Sequence, residues 1–187
     1  MDDLEEKFHR FASLHNAVWR LGQAAETHWY FVEAATCFRA KSFLASALCS
    51  FNALESSMRW IQKRQQAQPY LDLDTGNLNH ELIRKTQALG YRVDVLAFPG
   101  ESNFLTKIGT SQKPYVELVR QRNNICHGNV VEYFQTVPST GDTIFTLECV
   151  RDLASNLLGV CEAWTKEVQR HREASVQAAS AAPQGGV

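Results

Sequence analysis

The chain has 187 residues, room for one domain with a single sizeable core. Hydrophobic residues make up 44% and charged residues 21%, which fits an ordinary globular chain and excludes a disordered polyelectrolyte. A net charge of −1 leaves no global basic surplus, so any contact with nucleic acid must come from a local patch.

In chain order, the opening "MDDLEEKFHR" is acidic and amphipathic, unlike the basic-then-apolar start of a signal peptide. Leu4, Phe8, Phe11, His15, Val18 and Trp19 recur at spacings of three and four, predicting a first amphipathic helix that ends near Gly22. Between Gln23 and Gln68 there is neither glycine nor proline. The stripe Leu44, Ala47, Leu48, Phe51, Leu54, Met58 and Ile61 predicts a long second helix from about Phe38 to Lys63. The preceding "HWYFVEAATCF" reads as a further helical turn or two whose aromatic cluster belongs to the core.

Residues 69–113 form an irregular insertion. Within it, "NLNHELIRKTQALG" predicts a helix capped by Asn77 or Asn79 and stopped by Gly90. "YRVDVLAFPGE" reads as a loop or short extended piece, and "SNFLTKIG" as a short helix from Ser102. Pro114 is expected to open a helix through "YVELVRQRNNICH" to Gly128. A small hairpin around "PSTGD" follows. The last helix starts after Thr146 and carries Val150, Leu153, Ala154, Leu157, Cys161, Trp164 and Val168 on one stripe. These elements predict an all-α antiparallel bundle of four or five helices spanning residues 1–172. Residues 173–187, small and polar, read as a disordered tail.

The five cysteines, Cys37, Cys49, Cys126, Cys149 and Cys161, contain no CxxC pair, and four of them fall in apolar helical patterns. They read as small core residues in a reducing cytosol. No apolar run approaches the roughly 20 residues that span a bilayer, so a soluble, cytoplasmic protein without a membrane partner is expected. His9, His15, His28, His80 and His171 are scattered without metal-ligand spacing, and His28 beside Trp29 and Tyr30 reads as a packing residue. GxGxxG, P-loop and GxSxG motifs are all missing, so no cofactor or metal is expected.

The stretch "RQRNNICHGNV" carries the functional signal. At about 100° per residue, Tyr115, Val116, Leu118, Val119, Ile125 and Cys126 share an apolar arc, opposite Glu117, Arg120, Gln121 and Asn124. Arg122 falls near the centre of that apolar arc, Asn123 inside it and His127 on its edge. An unpaired charge there would cost several kcal/mol. Glu55 shares the inward arc of Phe51, Leu48 and Met58 on the second helix, which makes it a candidate ion-pair partner for Arg122. One reading is therefore structural: a buried pair completed by Asn123 and His127.

The other reading is chemical. Arginine presents a planar fork of donors to a phosphate, and histidine exchanges protons near neutral pH. About 140° of helical turn separates Arg122 from His127, so two facing copies aim them at one target more easily than one copy does. Arg59, Lys63 and Arg64 read first as a solvated face and second as an RNA-backbone strip.

"RNNICHG" places Arg122, Asn123 and His127 in the register RNxxxH, followed by Gly128. This resembles the signature of the HEPN superfamily, and the order of helices resembles HEPN architecture over about residues 34–170. The resemblance implies a dimer across the motif helix and a metal-independent endoribonuclease site built from both subunits. Toxins and anti-phage effectors are common among such proteins, some under a regulatory partner protein. Carried over, Arg122 would hold the scissile phosphate, His127 would move protons and Asn123 would orient them. Glu55 is an addition from the helical wheel, outside the motif. The insertion at 69–113 exceeds what a minimal HEPN bundle needs. The alternative is a non-catalytic HEPN-like module for dimerisation or partner binding.

Overall fold

The structure is a computed structural model that describes residues 3–20, 25–66, 77–110 and 113–181. Its architecture is all-α with a small two-stranded hairpin, as the periodicities predict. Helix α1 spans Asp3–His15 and widens into a π-helical turn at Asn16–Arg20; Gly22 lies outside the described residues.

The expected second helix is two helices, α2 (Ala25–Arg39) and α3 (Phe43–Gln66). Lys41 makes the break in the left-handed region at φ 59°, while the N–H groups of Ala40, Lys41 and Ser42 close onto Thr36, Phe38 and Cys37 carbonyls. Glycine normally takes this position, so a lysine there leaves no breaker to read. The Ser46 hydroxyl donates to the Ala34 carbonyl at 2.7 Å and ties the two helices together.

Helix α3 buries Ala47, Phe51, Leu54, Met58 and Ile61, five members of the predicted stripe. Helix α7 runs Arg151–Ala181 after a 3-10 turn at Leu147–Val150. Its predicted stripe, from Val150 through Cys161 and Trp164 to Val168, is buried throughout against α3, α1 and α2. α7 continues through residues 173–181, where a tail was expected; those positions whose exposure is described beyond Arg172 are solvent-facing, so helix propensity rather than packing carries this end. Residues 182–187 lie outside the description.

Between α3 and the motif helix lie α4 (His80–Ala88), a 3-10 turn (Val93–Leu96) and α5 (Phe104–Ile108). Asn79 caps α4 by accepting the Leu82 N–H at 2.8 Å, and Gly90 stops it at φ 89°. The segment expected as a loop or extended piece is core: Tyr91, Val93, Leu96 and Phe98 are buried, and the 3-10 turn packs on α7. Residues 77–110 of the insertion are thus part of the bundle, and 69–76 lie outside the described residues.

Helix α6 covers Glu117–Cys126. Strands β1 (Gln135–Thr136) and β2 (Thr143–Ile144) pair antiparallel, Gln135 opposite Ile144, and form the hairpin expected around "PSTGD". No described helix is long and apolar enough to cross a membrane.

Candidate functional site

Two buried side chains seat the start of α6. His80 lies against Thr110 O through Nδ1 at 2.8 Å and accepts the Val116 N–H on Nε2 at 3.0 Å, which fixes Nδ1 as the protonated nitrogen. Glu101 accepts the Glu117 N–H and the Lys107 ammonium, each at 2.9 Å. Pro114 therefore does not open the helix as expected. Val116, extended at ψ 149°, is the cap, and its N–H is committed to His80. At the other end Gly128 adopts φ 73°, with open space where a side chain would stand. Its place in the motif is explained by the left-handed turn that ends the helix.

On the side facing α3, Arg122 is the inward charge that the helical wheel predicts, with 13% of its side chain exposed. Its Nη2 lies 3.9 Å from Glu55 Oε2, an ion pair without a direct hydrogen bond. Glu55 is more closely engaged elsewhere: Oε2 accepts the Leu78 N–H at 2.8 Å and Oε1 meets Arg59 at 2.8 Å. Arg122 Nη1 reaches Asn123 Oδ1 at 3.4 Å, a long contact. The predicted Glu55–Arg122 pairing is present, but Glu55 is shared and its stronger contacts go to other groups. The guanidinium keeps donor capacity that neither contact saturates.

His127 sits at the C-terminal cap of α6 and is exposed, as is Cys126. The wheel placed Cys126 on the apolar arc; Ile125 on that arc is buried but Cys126 is exposed, so the cover over this face stops within the last turn. Among the described residues no hydrogen bond or ion pair joins the His127 imidazole to Arg122. The structure brings Arg122, Asn123 and Glu55 together and leaves His127 apart.

Gln121, expected on the solvent side, is buried. It donates to Glu117 Oε1 at 2.6 Å and accepts from the Tyr133 hydroxyl. Arg120 bridges Glu117 at 2.6 Å and Glu132 at 2.5 Å, and Asn124 Nδ2 also donates to Glu132. The Arg120 hydrogen bonds hold the Glu117 carboxyl below its ordinary range. Burial opposes ionisation of Glu132, and Arg120 and Asn124 more than offset it. Burial, then the Glu132 charge, pushes the Tyr133 phenol up. This network pins the segment after the motif against α6. A wheel drawn for one apolar face misses it, because α6 is covered on two sides.

Arg59 and Lys63, two of the three expected backbone cations, line a groove of about 270 Å³ with Tyr30, Asn52, Glu55, Ser56 and Trp60. Arg64 lies outside it, with its guanidinium 5.3 Å from the Trp60 ring centre. Tyr30 and Trp29 are 39% and 64% exposed, where the sequence suggested an aromatic core cluster; Phe31 alone of the three is fully buried. His28 is buried beside Trp29, as expected of a packing residue. Among the described residues no group of three or more His, Cys, Asp or Glu side chains is placed to hold a metal ion. No family model, curated protein or solved structure matches the chain.

Proposed function

We propose that the chain is a homodimeric endoribonuclease of HEPN type, with Arg122, Asn123 and His127 as its working residues. The observation that supports this most is the state of Arg122: a largely enclosed guanidinium whose contacts, at 3.9 Å and 3.4 Å, leave donors for an incoming anion. His127, exposed at the end of the same helix, is available to a second molecule. A dimer that faces one α6 against another would place His127 of one copy near Arg122 of the other, across a phosphodiester held between them.

The chemistry needs only groups of the chain and the substrate. The ribose 2′-oxygen attacks the adjacent phosphorus and loses its proton to a base; the P–O5′ bond breaks and O5′ takes a proton from an acid. His127 acts as base or acid, and Arg122 neutralises charge on the phosphorane. Asn123 orients the guanidinium. Products then carry 2′,3′-cyclic phosphate and 5′-hydroxyl ends, and DNA, without the 2′-hydroxyl, is spared. Single-stranded RNA incubated in EDTA should be cut to those ends. A magnesium requirement, or equal cutting of DNA, would overturn the mechanism.

One observation favours a second reading. Val131, Phe134, Ile144, Phe145 and Leu147 expose large apolar side chains around the hairpin next to the motif. A HEPN-like module that only dimerises or binds a partner protein would use such a surface and leave RNA intact in the same assay.

A further inference from the structure

We propose that the groove between α2 and α3 binds the stretch of single-stranded RNA next to the scissile phosphate, stacking one unpaired base on Tyr30 and holding its backbone on Lys63. The proposal rests on the ribonuclease reading above and assigns that site a substrate class. Four observations carry it. Asn52, Glu55, Ser56, Arg59, Trp60 and Lys63 recur at helical spacing and form one continuous strip of α3, about 16 Å long. Tyr30 closes the strip from α2 and is 39% exposed as a residue.

The electrostatics favour an anion at one end. Glu55 is engaged by Arg59 and by the Leu78 N–H, whereas Lys63 has no ion pair among the described residues. Lys63 therefore leaves a cation at the far end of the strip, and Arg64 follows it just outside the groove. One wall residue links the groove to the motif: Glu55 lines it and also lies 3.9 Å from Arg122, although Arg122 itself is not part of the lining. Asn52 and Ser56 supply neutral hydrogen-bonding groups between the two ends.

An aromatic face beside a backbone-tracking cation is the chemistry that recognises single strands. Stacking tolerates any base, and the cation reads phosphate. A duplex keeps its bases stacked on each other and cannot offer one to Tyr30.

The test uses the full chain carrying His127→Ala, so that binding is read without cleavage, and a fluorescein-labelled single-stranded RNA oligonucleotide followed by anisotropy. Adding Tyr30→Ala should weaken binding about tenfold, with Tyr30→Phe retaining most of it. Adding Lys63→Ala should weaken binding and reduce the slope of log Kd against log salt by about 0.7. A duplex of the same sequence should bind more weakly than the single strand. In parallel, Tyr30→Ala in the otherwise unaltered protein should raise KM for RNA cleavage.

Unchanged affinity in both groove variants, equal binding of duplex, or no RNA binding by the His127→Ala parent would each overturn the groove assignment. Cleavage by the unaltered protein with KM unmoved in Tyr30→Ala would do so while leaving the ribonuclease reading intact. Groove-dependent binding without any cleavage would sink the ribonuclease reading and leave the groove standing.

Discussion

Two parts of the molecule enclose polar side chains, and they treat them differently. Beneath α7, His15 meets the Phe11 carbonyl at 2.6 Å and the Thr165 hydroxyl at 2.9 Å, the Trp19 indole donates to Thr165 at 3.1 Å, and Trp164 donates to Ser57 at 2.8 Å. Each of these groups is satisfied within the chain at ordinary hydrogen-bond distance. On α6, Arg122 is nearly as enclosed, yet its contacts are long, and its motif partner His127 faces outward. A closed network specifies a fold, because every lost member strands another. An open one costs desolvation without full return, which a fold alone does not require. That contrast supports the proposed reading of the motif as a site and of the α7 network as architecture.

The largest expected effect separates activity from stability. His127→Ala should lower RNA cleavage at least about a hundredfold. Because the side chain is exposed, its unfolding free energy should shift by less than about 0.5 kcal/mol. Full activity in the folded variant would remove His127 from the chemistry.

The α7 network should show the opposite behaviour, through pH. Burial lowers the His15 pKa from 6.5 to about 4, against backbone hydrogen bonding with Phe11 and Cys161 that raises it. Below pH 6.5 the unfolded chain takes a proton that the folded chain refuses. Stability is thus complete above that value and is lost as pH falls towards about 4, by about 3 kcal/mol in all. Urea unfolding at pH 7 and pH 4.5 measures it, with His15→Gln as the reference. Equal losses in the two proteins would exclude His15 as the cause.

A smaller effect tests the bridge between regions. Glu55→Ala takes a carboxylate partner from two guanidinium groups and leaves the Leu78 N–H without its acceptor, at a cost of about 2 kcal/mol in thermal or urea unfolding. An unchanged melting curve would show that the pairing contributes nothing. Smaller still, Glu132→Ala should cost about 1 kcal/mol, because Arg120 and Asn124 lose a surface partner. Its amide exchange should quicken after the motif, around residues 129–134, while α3 stays protected. Uniform exchange would mean that the network does not hold the segment.

The sequence is most legible where periodicity is long or a cap is chemically explicit. The α3 and α7 stripes, the Asn79 cap, the Gly90 stop and the "PSTGD" hairpin all follow from local rules. The α2–α3 break escapes them because Lys41 takes a left-handed conformation with no glycine nearby. Residues 91–98 escape them because α7 supplies the apolar surface from far along the chain, which lets a 3-10 turn and its flanks bury Tyr91, Val93, Leu96 and Phe98. In the site, Glu55 and Arg122 are legible because each is a charge on an apolar arc. Gln121 and Tyr133 are not, because their burial depends on the folded-back segment after Gly128. Tyr30 is hidden inside an aromatic cluster whose members point both inward and outward.

The most direct measurement mixes two inactive proteins. His127→Ala and Arg122→Ala are each purified as folded chains, shown to leave RNA intact, then combined and allowed to exchange subunits. A mixed dimer holds one complete pair, Arg122 from one copy and His127 from the other, so partial cleavage with 2′,3′-cyclic phosphate ends should return. Cleavage by the unaltered protein together with no recovery in the mixture, under conditions where subunit exchange is demonstrated, would contradict a site shared between two chains.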